Sequence, residues 1–242
     1  MRVFALALAA IVAGGCAWSE PDERERAAQV QESVRETIAD YNRKNVEGYL
    51  DGWTNRGFTR PFGVSKHEAD HVPPSLNGLQ SFEESRARIG GFSRTSVTQN
   101  AATTTVTLTE LYVLRTLRLS LVSERGRWRL DEAVDVAALP SADAVEVDLT
   151  EYAIRANATA PRTTTLKVRN TGRLPHELLL LRLRPSGRDD SLGRIERIQP
   201  GTTKTLVTRG LPAGRYALVC NLPSADGSPH SSKGMRALLT IS

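Results

Sequence analysis

Residues 216–235 read YALVCNLPSADGSPHSSKGM, and residues 168–178 read VRNTGRLPHEL. The first stretch carries Cys220, His230 and Met235, and the second carries His176. Both adjoin short runs rich in apolar and β-branched residues, so the four side chains fall at strand ends, where loops present functional groups from a rigid scaffold. Cys220 is the only cysteine besides Cys16, Met235 the only methionine besides Met1, and His176 and His230 the only histidines beyond residue 145. Taken singly, each reads as an ordinary core or surface residue. Together they supply one thiolate, two imidazoles and one thioether. That set suits copper, because a thiolate with two imidazoles forms a trigonal plane serving both oxidation states and a weak axial thioether favours the reduced one. The expected cofactor is one copper ion cycling between Cu(I) and Cu(II).

Around these stretches the pattern is all β. Strands are expected at 145–149, 164–168, 177–183, 195–198, 203–207, 216–220 and 237–241. Turn signals separate them at Asn170-Thr171-Gly172, Pro185-Ser186-Gly187, Pro200-Gly201 and Pro212-Ala213-Gly214. Many short strands at this spacing predict a sandwich or a barrel.

The segment VRNTGRLPHEL resembles the Asn-x-Gly approach to the first histidine ligand of the cupredoxin (type 1 blue copper) family. Residues 198–220, IQPGTTKTLVTRGLPAGRYALVC, resemble its Pro-Gly turn, Pro-x-Gly-x-Tyr strand and cysteine ligand, and HSSKGM at 230–235 resembles its second histidine and methionine. The resemblance implies a Greek-key β-sandwich over 145–242 in which His176, Cys220 and His230 are equatorial ligands and Met235 is axial. It departs from plastocyanin-like and azurin-like members in the long interval Asn221 to Pro229, which predicts looser geometry about His230. Around the ligands, backbone N–H groups near Glu177 and Asn221 are expected to donate to the Cys220 sulfur, and Asn170 to tie the two ligand loops together.

The first half is patterned differently. Apolar residues at helical spacing (Val30, Val34, Ile38, Tyr41, then Val46, Tyr49, Leu50 and Trp53) predict two helices within 27–51. Residues 57–79 read as loop, with a short helix at 81–89. From Thr95 onward, alternation predicts strands at 103–111, 113–122 and 128–136, with Glu124-Arg125-Gly126-Arg127 as a turn. Helices followed by an antiparallel meander predict an α+β unit. This order, with YNRKNVEGYLDGWTNRGF at 41–58 and LRLSLVSERGRWRLDEAV at 117–134, is similar to the NTF2-like (SnoaL-like) cone, a curved antiparallel sheet over helices. The resemblance implies small-ligand binding, dimer contacts or proton-transfer catalysis, and fold alone does not choose among them.

His67-Glu68-Ala69-Asp70-His71 matches the H-E-x-x-H pattern of zinc proteases, which requires both imidazoles on one helix face. Pro73 and Pro74 end any helix within a turn, and Asp70 places a charge where such a helix is apolar. The string reads as solvated loop.

The first residues bear on location. Arg2, an apolar run at 3–12 and small residues at 13–15 precede Cys16, a pattern that resembles a bacterial lipoprotein signal with Cys16 as the lipidated residue. An ordinary secretory signal cut nearby is the alternative. The run is too short to span a bilayer, which takes about 20 apolar residues. The expected organisation is a signal peptide at 1–15, a lipid-anchored tether at 16–26, an NTF2-like domain at 27–139, a linker at 140–144 and the copper domain at 145–242. An extracytoplasmic, membrane-tethered protein follows.

With 242 residues the chain can bury two cores, and its net charge of +5 is scattered rather than gathered in a basic block with interleaved aromatics, which disfavours nucleic acid. No nucleophile, base and orienter stand in a recognisable arrangement, and no glycine-rich phosphate loop occurs, so a non-enzymatic role is expected. Electron transfer to a redox partner, leaving through a partly exposed edge of His230, is the leading expectation. Copper storage, sensing or delivery, and a ligand-binding adaptor lipoprotein with a degenerate metal site, are the alternatives.

Overall fold

The structure, a computed structural model, describes residues 22–70, 85–136, 143–185, 187 and 189–242. The expected signal, Cys16, the tether up to residue 21, His71 and linker positions 140–142 lie outside the described residues. Among the described residues no helix is long and apolar enough to cross a membrane.

Helix α1 (Glu23–Arg43) starts where the Asp22 carboxylate accepts from the Glu25 N–H, and it ends at Lys44 in the left-handed region. Val30, Val34, Ile38 and Tyr41 form its buried face, at the spacing the sequence displays. Helix α2 (Val46–Asp51) follows at once, capped by Asn45. A third helix, α3 (Asn55–Phe62), occupies part of the stretch expected to be loop. Gly57 and Pro61 argue locally against it, but the Thr54 hydroxyl accepts from the Gly57 N–H and Phe58 is buried among Tyr49, Trp53 and Phe62. Gly57 itself is required, because a Cβ there would run into the Leu130 carbonyl of the sheet beneath.

Four antiparallel strands carry these helices: β1 (Ala87–Val97), β2 (Ala101–Glu110), β3 (Val113–Glu124) and β4 (Arg127–Asp135). The helix expected over 81–89 is corrected at its end, since Ala87, Arg88 and Ile89 pair with Glu110, Thr109 and Leu108, while 81–84 lie outside the described residues. Long-range pairing overrides the local pattern. Register shifts between Ile89 and Gly91 and between Ser93 and Ser96 bend this edge strand. The expected turn after β3 is present, with Arg125 and Gly126 both at positive φ, as a two-residue hairpin turn of matching twist demands.

The second half contains two sheets of mixed strand direction. One holds β5 (Val145–Thr150), β6 (Ala153–Ala156), β8 (Thr164–Asn170) and β11 (Thr203–Thr208), in which β5 and β8 run parallel. The other has the order β10 (Asp190–Ile198), β9 (His176–Arg182), β12 (Gly214–Val219), β13 (Arg236–Ile241) and β7 (Thr159–Ala160). Leu166, Val168, Leu178, Leu180, Leu211, Tyr216 and Leu218 fill the core between them.

The two halves have separate cores but share a sheet. The start of β3 pairs with the end of β11 through Leu114 with Val207 and Val113 with Thr208, which makes an eight-stranded sheet. Leu111, Tyr112 and Val113 pack into the second core, and the Arg209 N–H donates to the Tyr112 carbonyl at 2.8 Å. At the same hairpin Glu110 is fully buried, with one carboxylate oxygen accepting from the Tyr41 hydroxyl at 2.7 Å and the other without a hydrogen-bond partner.

Two predictions follow from this packing. Gly57→Ala should push α3 off β4 and cost about 1–3 kcal/mol in chemical denaturation, as overpacked core sites do. Burial raises the Glu110 pKa above the ordinary glutamate value. The folded state therefore keeps a proton that the unfolded chain has released, and stability falls as pH rises through that window. Glu110→Gln should remove this slope and leave the protein at least as stable as wild type at pH 8 in urea unfolding. A less stable variant at pH 8 would contradict it.

Candidate metal centre

β9 begins at His176, β12 ends one residue before Cys220, and β13 begins one residue after Met235. Because β12 lies between β9 and β13, with Val219 opposite both Leu179 and Arg236, these ends come together. Backbone bonds continue past the strands: the Cys220 N–H donates to the Met235 carbonyl at 3.2 Å and the Met235 N–H to the His230 carbonyl at 3.1 Å.

The long interval before His230 is folded on itself. Pro223 and Pro229 form an isolated bridge, and the Ser224 N–H donates to the Ser228 carbonyl at 2.8 Å. The expected turn at Asp226-Gly227 is present, with the Gly227 N–H donating to the Ser224 carbonyl at 2.9 Å. The Asp226 carboxylate accepts from the Ser228 hydroxyl at 2.6 Å and pairs with Lys233 at 2.8 Å. The chain thus returns to place His230 at the start of a 3₁₀ turn, His230–Lys233, with its N–H on the Leu222 carbonyl at 2.9 Å.

Three donor atoms converge in the interior. His176 Nδ1 and His230 Nδ1 lie 3.3 Å apart, and Cys220 Sγ lies 4.0 Å from the first and 3.5 Å from the second. The circle through these three points has a radius of about 2.1 Å. That falls within the ~2.0–2.3 Å at which imidazole nitrogen and thiolate sulfur bind a transition metal. His176 and Cys220 are fully buried and His230 is 2% exposed. Among the described residues this is the group of histidine, cysteine and acidic side chains that could hold a metal ion. Burial lowers the pKa of both histidines, helped at His176 by the neighbouring His230 and at His230 by the Lys233 charge, which favours the neutral rings that can bind a cation. His176 Nε2 is buried without a hydrogen-bond partner. Burial raises the Cys220 thiol pKa, opposed by backbone N–H donors of Glu177 and Leu222. Met235 is fully buried in the same core.

The surroundings differ from expectation at several points. The backbone donors to the Cys220 sulfur are the Glu177 N–H, at 3.4 Å, and the N–H of Leu222, next to Asn221, while the Asn221 N–H itself donates to Glu177 Oε1 at 3.0 Å. Asn170 does not join the two ligand loops. Its amide donates to the carbonyls of Leu174 and Ile198, both at 2.8 Å, and its oxygen accepts from the Gly172 N–H, so it ties the His176 loop to the turn after β10. The edge of His230 is not exposed, since the Tyr152 ring covers it edge-on with centroids 5.2 Å apart. The H-E-x-x-H string forms no helix across 66–69, and Glu68 accepts from the Ser65 hydroxyl at 2.7 Å.

Sequence reasoning missed Arg194, Glu151 and Tyr152. Glu177 is 2% exposed and forms a forked pair with Arg194, at 2.9 Å to Nε and 2.7 Å to Nη2. The signal was a lone carboxylate in the run HELLLL, which must find a partner if that strand is buried.

No family model matches the sequence, and no curated protein matches it. Among solved structures the chain is similar to reduced auracyanin from Roseiflexus castenholzii, at 16% identity over 42% of this chain and 98% of that one, with a TM-score of 0.34. It is similar to auracyanin A, a blue copper protein from Chloroflexus aurantiacus, at 14% identity over 40% of this chain and 99% of that one, with a TM-score of 0.31. A protein of unknown function with a cystatin-like fold from Nostoc punctiforme matches at 15% identity over 48% of this chain and 92% of that one, with a TM-score of 0.37. These likenesses are distant and partial, and the centre is read from its donor geometry.

Removing Arg194 leaves the Glu177 charge buried and unpaired. Arg194→Met should cost about 3 kcal/mol in denaturant unfolding, the lower end for a broken buried pair because Arg194 is one-third exposed. Adding Glu177→Gln should restore most of this loss, since glutamine keeps an acceptor for Asn221 without the charge.

Proposed function

We propose that the chain is a mononuclear copper protein that transfers single electrons outside the cytoplasm. The observation that carries this reading is the triangle of one thiol sulfur and two imidazole nitrogens, whose centre lies about 2.1 Å from each donor. A trigonal Cys-His-His set with a weak thioether is the arrangement of electron-transfer copper sites, whereas structural zinc takes four strong donors in a tetrahedron. His176, Cys220 and His230 would hold the ion, and Met235, buried in the same core, is the candidate for a weak fourth donor. Copper when bound would supply a one-electron couple to a redox partner, and these residues would keep the same donors in place in both oxidation states.

The chain's own groups support this role. The lowered pKa of both imidazoles reduces proton competition for the ion, and the Glu177 and Leu222 backbone N–H groups oppose the rise that burial imposes on the Cys220 thiol. The small residues before Cys16 support a lipid tether to the bacterial cell membrane, with the first half offering a surface for a small ligand or a second copy. Full burial of the donors also favours a second reading, copper storage or delivery, because a closed site holds its ion well.

Reconstitution with copper(II) and visible spectroscopy separates the two. Electron transfer predicts an intense thiolate charge-transfer band that Cys220→Ser abolishes. Tight copper(I) binding without that band would favour storage, and failure to bind either state would reject both.

A further inference from the structure

The two-residue turn between β5 and β6, Glu151-Tyr152, touches the loop leading to His176 and the segment carrying His230. Tyr152 sits at φ 60°, a conformation that a bulky residue adopts only when its surroundings hold it there. Its ring lies over His230 with centroids 5.2 Å apart and planes at 85°. Lys233 Nζ stands 5.1 Å from the same ring's centroid and interacts with the hydroxyl. Its carbonyl is 3.4 Å from where a Cβ on Gly234 would stand, one residue before Met235. Glu151 accepts from the backbone N–H groups of Arg173 and Leu174, the latter at 3.0 Å, which fixes the loop leading to His176. The ring is half-buried, whereas the imidazole beneath it is 2% exposed.

We propose that Tyr152 is the port of the metal centre: its ring seals His230 from solvent, presses the imidazole toward Cys220 and His176, and is the group through which an external one-electron carrier reaches the centre. The last clause rests on the copper reading above, and the seal does not. His230 is held on one face by the His176 ring, with centroids 5.2 Å apart, and on another by Tyr152, with centroids the same distance apart. Withdrawing Tyr152 opens that second face to water. Glu151 and Lys233 hold the seal shut from either side, the first through the His176 loop and the second through Asp226 of the folded interval.

Diethyl pyrocarbonate acylation of the metal-free full chain, with modified histidines located by peptide mass spectrometry, tests the seal without any copper. In wild type, exposed His67 should react while His176 and His230 do not. Tyr152→Ala should raise the His230 rate by about 10-fold, the upper end of what one edge-to-face ring contact is worth, and leave His176 protected. Tyr152→Phe keeps the ring and should keep His230 protected. A wild-type His230 as reactive as His67, or no change in Tyr152→Ala, would overturn the proposal. Equal exposure of His176 and His230 in Tyr152→Ala would also overturn it, since the ring would then support the fold rather than close one face. On copper(II)-loaded protein, azide should alter the electron paramagnetic resonance spectrum of Tyr152→Ala and not that of Tyr152→Phe. If wild type takes up no copper, the copper reading falls while the acylation result still decides the seal.

Discussion

The pairing of β12 with β9 on one flank and β13 on the other is the constraint on which the centre depends. Ala217, Leu218 and Val219 face Leu181, Leu180 and Leu179 on one side and Leu238, Ala237 and Arg236 on the other. That register brings the start of β9, the end of β12 and the start of β13 to one end of a single sheet. His176, Cys220 and Met235 arrive there from three strands distant in sequence. A slip of one residue would turn Leu178, Leu180, Leu218 and Leu239 out of the core, so the apolar face that stabilises the sandwich also fixes the donors. Stability and site geometry are set by the same contacts.

Polar groups close the arrangement without adding net charge to the interior. Glu177 is a buried acid that would be costly alone, but Arg194 neutralises it and its other oxygen takes the Asn221 N–H just after Cys220. It clasps β9 to the loop after β12. At the outer side, bonds from Lys233 and Ser228 hold the Asp226 carboxyl well below the ordinary carboxylate range, which keeps the interval before His230 in its folded form. The loosening about His230 that a long interval predicts is therefore countered by a local hairpin of side-chain and backbone bonds.

Much of this was legible because it is local. Alternation marked β2, β3 and β4 and most strands of the second half, and turn chemistry marked Arg125-Gly126 and Asp226-Gly227. The coincidence of scarce residue types picked out His176, Cys220 and His230, which the fold gathers. What escaped is what only tertiary contact creates. Strand β1 was hidden in Ala87 to Arg94 because Gly90 and Gly91 carry no β signal and its register is written in β2. Helix α3 was hidden because Gly57 and Pro61 penalise a helix unless Leu130 and the aromatic cluster are already in place. The Greek-key and cone expectations resolve only to two sheets of mixed direction and a helix-covered antiparallel sheet. Glu151 and Tyr152 gave no signal, because a Glu-Tyr pair between two short strands is ordinary until His230 is brought beneath it.

Burial of the centre also bears on its redox poise under the copper reading. A thiolate with two neutral imidazoles carries one negative charge, so the site is neutral with Cu(I) and singly positive with Cu(II). An interior of low dielectric disfavours the charged state. Of the nearby anions, Glu177 is paired with Arg194, which cancels most of its field, and Glu151 is exposed to solvent. The backbone N–H donors on sulfur act in the same direction, because they withdraw electron density from the thiolate that stabilises Cu(II). The Tyr152 ring beside His230 adds to this burial. A copper ion held here would on these grounds be favoured in its reduced form, through burial alone.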